Sequence, residues 1–206
     1  MSHGVVPDRV AEGTRLGIAP IARRLAGAGV TANGVTVAGA LITCVGAGLL
    51  AAGIPLAALI VLAFGTIADT FDGQIAKAAG GGTRLGAFLD STMDRVADGA
   101  LFVGTAIYAV SAAQPALLWW ALLALVTGFL VPYIRAKAES LGVSASVGPA
   151  PREARIVIFL IGLGVWAIFD LLTVFIAAVL VVALLSSVTF VLRLVHVSRQ
   201  LSMKER

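Results

Sequence analysis

Residues 67–94 read IADTFDGQIAKAAGGGTRLGAFLDSTMD, and in them four aspartates interrupt two apolar segments that three adjacent glycines join. Asp69 and Asp72 are three residues apart, and Asp90 and Asp94 are four apart. On a helix, either spacing places both carboxylates on one face. Adjacent glycines disfavour helix and suit a sharp reversal. We therefore expect two antiparallel neighbouring helices whose carboxylates converge at one end.

The composition of the chain is that of an integral membrane protein. Of its 206 residues, 59% are hydrophobic and only 13% are charged, against about 25% charged residues in soluble domains. Apolar runs of the roughly 20 residues that cross a hydrocarbon core recur along the sequence. They predict six transmembrane helices, the last two separated by a tight turn at FDLL, with approximate bounds 34–53, 55–77, 86–112, 115–137, 155–169 and 172–194.

The segment before the first span is basic. Residues 8–28 place apolar side chains among arginines, which indicates either a helix lying along the membrane surface or simply a basic flank. We divide the chain into this N-terminal segment (1–30), a transmembrane domain (31–200) and a short tail (201–206). The predicted fold class is all-α, with six spanning helices preceded by a surface-lying amphipathic helix.

The cations mark one side of the predicted bundle. Every Lys and Arg lies in or beside the segments that share a side with both termini and the glycine loop, and the opposite loops hold none. The positive-inside rule then places both termini and the aspartates on the cytoplasmic side. No nucleic-acid-binding motif accompanies the net charge of +4, so membrane lipids are the expected partners of this face.

Converging carboxylates repel one another unless cations neutralise them. Oxygen ligands without His or Cys favour hard ions such as magnesium, manganese or calcium, and we expect one or two of them. Gly73, Ala76 and Gly86 lie on the same faces, where small residues either admit a ligand or allow close helix packing. For Asp98 we expect an ion pair with Arg95 or a hydrogen bond between helices rather than metal ligation.

These residues resemble the signature of the CDP-alcohol phosphatidyltransferases, D-x2-D-G-x2-A-R-x8-G-x3-D-x3-D. One position departs from it, because Lys77 stands where the family usually has Arg. Lysine keeps the charge but loses the planar guanidinium that binds a phosphate through two hydrogen bonds. The alternative interpretation of Lys77 is a side chain that extends to the membrane interface. The segment TANGVT (31–36) resembles a second family element near the nucleotide. The matching residues are Asp69, Asp72, Gly73, Ala76, Lys77, Gly86, Asp90 and Asp94.

The resemblance implies transfer of a phosphatidyl group from CDP-diacylglycerol to an alcohol, with release of CMP. It implies two magnesium or manganese ions held by the four aspartates, with Asp94 also acting as general base. It further implies a homodimer in the bacterial cytoplasmic membrane. The nucleotide-binding residues that it implies are Asn33, Thr36, Gly73, Ala76, Lys77 and Gly86.

Cytoplasmic arginines and lysines are candidates to bind a phosphate group on the acceptor, although each is also a common topology signal. The candidates are Arg135, Lys137, Arg155 and Arg193, and Arg152 in PREAR (151–155) adds to the same positive charge. Together with residues 80–100 they resemble the actinobacterial phosphatidylinositol phosphate synthases, whose acceptor is inositol 3-phosphate. The alternative within the family is phosphatidylglycerol phosphate synthase, which uses glycerol 3-phosphate. The alternative from another class is a cation transporter, because carboxylates inside a membrane also mark ion pathways.

Overall fold

The computed structural model describes residues 20–78, 81–149 and 151–204, and this part of the chain is helical and without strands. Each predicted helix is present, and most ends agree with the prediction to about three residues. The exception is the last helix, which continues beyond residue 194. The long helices are α1 (Ala32–Ala51), α2 (Pro55–Ala78), α3 (Arg84–Ser111), α4 (Pro115–Ser140), α5 (Arg152–Phe169) and α6 (Leu172–Lys204).

Four helices, α1, α2, α4 and α6, are long and apolar enough to cross a membrane. Helix α3 carries Asp94, Arg95 and Asp98 in its first half, and α5 begins with Arg152 and Glu153. These charges belong to the candidate site described below, and they make α3 and α5 less apolar. The fold is thus that of an all-helical membrane protein, while six crossings remain a prediction.

The N-terminal surface helix lies mostly outside the described residues. Residues 20–27 are helical, and a turn follows at 28–29. Gly29 in that turn has a φ of 84°, a left-handed conformation that glycine adopts without a steric penalty. The placement of this segment along a membrane surface remains a prediction.

Helix α1 organises the half of the bundle that carries the aspartates. It packs against both α2 and α3, whereas α2 and α3 do not pack directly on one another among the described residues. The prediction that the two helices joined by the glycines are direct neighbours is therefore wrong. Since α1 fills one side, the carboxylates of α2 and α3 face each other across a gap rather than across a packed interface.

The remaining helices complete the bundle around an aromatic core. Helix α4 packs on α3 and α6, and α5 packs on α6 and α2. The Phe159 ring meets Phe102 edge-on at 6.0 Å and Phe175 edge-on at 5.2 Å, and Trp166 stacks on Phe175 at 5.4 Å. This core ties α3, α5 and α6 together away from the aspartates, and so holds the ends of these helices in place at the site.

The turn predicted at FDLL is confirmed. Helix α5 ends at Phe169, Asp170 takes a left-handed φ of 57°, and α6 begins at Leu172. Aspartate is one of the few residues other than glycine that visits this conformation readily. The turn makes α5 and α6 adjacent helices, which brings the start of α5 beside the second half of α6.

Candidate active site

Three carboxylates converge where α2 ends and α3 begins. One oxygen from each of Asp69, Asp72 and Asp90 lies within 4.8 Å of the others. Asp72 is buried and accepts a 2.7 Å hydrogen bond from the Thr36 hydroxyl of α1. Because the donors are all carboxylate oxygens, this trio suits a hard divalent cation such as magnesium or manganese. We call Asp69, Asp72 and Asp90 the carboxylate trio.

Asp94 and Asp98 lie beside the trio and face arginines. Arg152 Nη1 is 2.9 Å from both Asp94 Oδ1 and Asp69 Oδ2, and its Nε is 3.0 Å from Asp98 Oδ1. Arg95 Nη2 is 3.5 Å from Asp94 Oδ2 and 3.9 Å from Asp98 Oδ2. The expected pairing of Asp98 with Arg95 is confirmed. The structure does not group Asp94 with the three clustered carboxylates, so its predicted part in metal binding remains a prediction.

A cavity of about 650 Å³ opens on one side of the trio. Its wall includes Asp72 and Asp90 together with five of the six predicted nucleotide-binding residues, which are Asn33, Thr36, Gly73, Ala76 and Gly86. Lys77 is exposed at the end of α2 and does not line it. We call this space the α1–α3 cavity.

The two glycines of the α1–α3 cavity have different surroundings. A Cβ on Gly73 would meet no atom within 4 Å, so this position faces open space rather than a packed helix. A Cβ on Gly86 would lie 3.1 Å from Asn33 Oδ1. Of the two interpretations left open by the sequence, close approach of a ligand thus suits Gly73, whereas helix contact also explains Gly86.

A second cavity, of about 870 Å³, opens on the other side of the trio. We call it the arginine cavity. The acidic residues lining it are Asp69, Asp90, Asp94, Glu139 and Glu153, and the cationic residues are Arg95, Arg135, Arg152, Arg155 and Arg193. Lys137, the fourth predicted phosphate-binding residue, is exposed and does not line it.

Arg155 is the most deeply placed of the predicted phosphate-binding residues. It is only 8% exposed. Its Nη1 donates to the Ser186 hydroxyl at 3.2 Å, and its Nε has no partner among the described residues. Arg155 lines the arginine cavity, and its guanidinium has further N–H donors from which an anion bound there would accept.

Arg193 and Arg135 already have partners. Arg193 donates from Nε to the Val147 carbonyl and from Nη1 to the Val131 carbonyl, each at 2.9 Å. It therefore ties α6 both to α4 and to the loop between α4 and α5. Arg135 forms a 2.8 Å ion pair with Glu139 at the mouth of the cavity, where both side chains are more than half exposed.

The importance of Arg152 could not be read from the sequence. Its position beside Arg155 at the start of a predicted span marked it as a topology signal like the others. Only the packing of α5 against α2 shows that its side chain reaches the carboxylates.

Comparison with known proteins identifies the family that the chain matches. Residues 29–189 match the sequence profile described as CDP-alcohol phosphatidyltransferase. Phosphatidylinositol phosphate synthase of Mycolicibacterium smegmatis is 40% identical over 150 residues, which cover 70% of this chain and 66% of that protein. The chain thus matches just under two thirds of that relative's length. Archaetidylinositol phosphate synthase of Methanothermobacter thermautotrophicus is 36% identical over 185 residues, which cover 89% of this chain and 90% of that protein.

Solved structures are similar over most of the chain. A crystal structure of Mycobacterium tuberculosis phosphatidylinositol phosphate synthase with CDP-DAG bound has a TM-score of 0.81 at 35% identity, covering 87% of this chain and 92% of that one. A structure of the same enzyme in complex with manganese and citrate also has a TM-score of 0.81, at 34% identity, covering 87% and 88%.

Proposed function

We propose that this chain, which belongs to the CDP-alcohol phosphatidyltransferase family, transfers the phosphatidyl group of CDP-diacylglycerol to a hydroxyl of inositol 3-phosphate and releases CMP. The sequence-based prediction of this family, and of a metal-dependent transferase, is confirmed. Membership of a transferase family also argues against the alternative of a cation transporter.

The observation that carries the proposal is the position of the carboxylate trio between two chemically different cavities. Asp90 lines both of them. The α1–α3 cavity contains the residues that match the family's nucleotide elements, whereas the arginine cavity offers positive charge. A donor nucleotide on one side and an anionic acceptor on the other would meet at the trio, as a transfer between two bound substrates requires.

Each part of the site has a role in this scheme. Divalent cations held by Asp69, Asp72 and Asp90 would neutralise the pyrophosphate and stabilise the leaving group. Thr36 fixes Asp72 from α1 through its 2.7 Å hydrogen bond. Asp94 lies on the wall of the arginine cavity and serves as the base that takes the proton of the acceptor hydroxyl. The hydroxyl oxygen bonds to the β-phosphorus as the bond to CMP breaks.

Two observations support inositol 3-phosphate as the acceptor. The bacterial relative is named as a phosphatidylinositol phosphate synthase and the archaeal one as an archaetidylinositol phosphate synthase, so both names contain inositol phosphate although the lipids differ. The arginine cavity supplies buried positive charge from Arg155 next to Asp94, which suits a phosphorylated alcohol better than a neutral one. Glycerol 3-phosphate carries the same phosphate and is therefore the comparison that the experiment must include.

The setting of the enzyme extends the proposal. We place the chain in the bacterial cytoplasmic membrane with both termini and the site facing the cytoplasm. The confinement of the cations to one side of the predicted bundle supports this orientation, and it lets water-soluble CMP leave. A homodimer is proposed from the family resemblance alone.

The experiment is a transfer assay on the full chain, purified in detergent and stripped of metal with a chelator. We expect CMP release from CDP-diacylglycerol only when inositol 3-phosphate and either manganese or magnesium are both present. Free inositol serves as the matched acceptor without a phosphate group. Absence of turnover with inositol 3-phosphate and metal, in protein that still binds CMP, would refute the proposed acceptor.

A further inference from the structure

The five aspartates around the site fall into two groups. Asp69, Asp72 and Asp90 present oxygens to one another within 4.8 Å. Asp94 and Asp98 instead receive hydrogen bonds or ion pairs from arginines. Asp69 belongs to both groups, since Arg152 also contacts it. The Arg152 guanidinium therefore contacts members of both groups.

Arg152 contacts carboxylates on two helices. It is the first residue of α5, and its side chain is 22% exposed. Nη1 lies 2.9 Å from Asp69 Oδ2 on α2 and 2.9 Å from Asp94 Oδ1 on α3, and Nε lies 3.0 Å from Asp98 Oδ1. A guanidinium is planar and permanently charged, so several short bonds fix the direction of each carboxylate as well as its charge.

The two oxygens of Asp94 have unequal surroundings. Oδ1 is held by Arg152 at 2.9 Å, whereas the contact that the structure gives Oδ2 is Arg95 Nη2 at 3.5 Å. A contact of that length is at the weak end of hydrogen bonding. Because Asp94 lines the arginine cavity, Oδ2 is the oxygen with lone pairs available for an incoming proton.

We propose that Arg152 is a positioning residue that holds Asp94 apart from the carboxylate trio and presents its Oδ2 to the acceptor hydroxyl. This inference rests on the proposed function, because it assigns a partner to the base of that reaction. As the acceptor oxygen bonds to phosphorus, its proton passes to Asp94 Oδ2, and the electron pair of the broken phosphorus–oxygen bond leaves with CMP. Arg152 itself exchanges no proton and keeps Oδ1 occupied throughout.

A competing role for Arg152 would be to hold the trio together through Asp69. The two roles differ in what they do to metal binding. If Arg152 only positions Asp94, removal of its positive charge beside Asp69 leaves the affinity of the trio for metal unchanged or raises it. Metal affinity falls together with turnover if Arg152 builds the trio.

The experiment compares R152Q and R152K with the wild-type chain in detergent. Manganese affinity in the presence of CMP is measured from the spin-resonance signal of free Mn²⁺, and kcat and KM are measured for both substrates. For R152Q we expect kcat to fall at least about tenfold, with manganese affinity weakened by no more than about threefold or increased, and the KM for CDP-diacylglycerol within about threefold of wild type. R152K keeps the charge without the fork, so its kcat should lie between those of R152Q and wild type.

Two control variants test whether the effect is specific to Arg152 or follows from the loss of any arginine charge. Arg199 is an exposed cation of α6 that lines neither cavity, so R199Q should behave as wild type. R95Q removes only the longer contacts to Asp94 and Asp98 and should lower kcat less than R152Q does.

Each outcome decides the proposal. Wild-type kcat in R152Q overturns it, as does a loss of manganese affinity that parallels the loss of kcat. If R152Q does not fold, wild-type kcat in R152K overturns it, and a reduced kcat with unchanged manganese affinity supports it. If wild-type protein rejects inositol 3-phosphate but uses another alcohol, the proposed acceptor is wrong, and the Arg152 variants are assayed with the alcohol that is used.

Discussion

Arg155→Met should raise the KM for inositol 3-phosphate while leaving the KM for CDP-diacylglycerol unchanged. Arg155 is 8% exposed, its Nη1 is engaged with Ser186, and its Nε has no partner among the described residues. Arg155 nevertheless lines the arginine cavity, and a guanidinium has five N–H donors, so the donors other than the one bound to Ser186 Oγ are the candidates to bind an acceptor phosphate. A hydrogen bond to a charged group is worth about 1.5 to 3 kcal/mol, and about 1.4 kcal/mol is tenfold in affinity, so the KM should rise roughly 10- to 150-fold.

The assay is CMP release at saturating CDP-diacylglycerol with inositol 3-phosphate titrated. Methionine retains much of the apolar stem of Arg155 and limits the cavity that a smaller residue would leave. Arg135→Met is the comparison variant, for which we expect a smaller rise in the KM for inositol 3-phosphate. Since Arg135 is more than half exposed and pairs with Glu139, its loss should cost less than about threefold. An unchanged acceptor KM in Arg155→Met, with turnover retained, would refute the assignment of the arginine cavity to the acceptor phosphate.

The remaining predictions concern the base, the trio and the α1–α3 cavity. Asp94→Asn should lower kcat by about 100-fold or more with CDP-diacylglycerol binding retained, and wild-type turnover would exclude Asp94 as the base. Asp69→Asn should weaken manganese and CMP binding together, as measured by calorimetry, and unchanged affinity for both would contradict its place in the trio. Gly73→Ala should not lower the thermal midpoint, because a Cβ there meets no atom within 4 Å and alanine favours helix over glycine, but it should weaken CMP binding. Gly104→Ala should instead lower the free energy of unfolding by about 1 to 3 kcal/mol, because a Cβ there would overlap the Ala47 backbone; equal stability of the two variants would contradict this account of their surroundings.

The helices could be predicted because their signals are local. Apolar runs bounded by glycine and by Asp170 gave element ends to within about three residues for most helices. The far end of α6 was missed because a membrane-length argument stops at the hydrocarbon boundary. Val197 and Leu201, beyond that boundary, pack against Ala138, Val143 and Ala145 in a small separate core.

The site was predictable in part for the same reason. Carboxylates three or four residues apart share a helix face whatever the tertiary structure, so the convergence of Asp69, Asp72 and Asp90 followed from spacing and a reversal. The packing of α1 between the aspartate helices did not follow, because it depends on contacts far apart in sequence. The pairing of Arg152 with Asp94 could not be predicted either. The two residues are far apart in the sequence, and no local pattern indicates which carboxylate a guanidinium contacts.

A competition assay tests both the proposed acceptor, inositol 3-phosphate, and the role of the arginine cavity in binding its phosphate. Wild-type protein is supplied with CDP-diacylglycerol, manganese and equal concentrations of inositol 3-phosphate, free inositol and glycerol 3-phosphate, and the lipid products are identified by mass spectrometry. We predict phosphatidylinositol phosphate as the dominant product, with little phosphatidylinositol. Phosphatidylglycerol phosphate as the main product would contradict the choice of alcohol, and phosphatidylinositol as the main product would contradict the role of the arginine cavity itself.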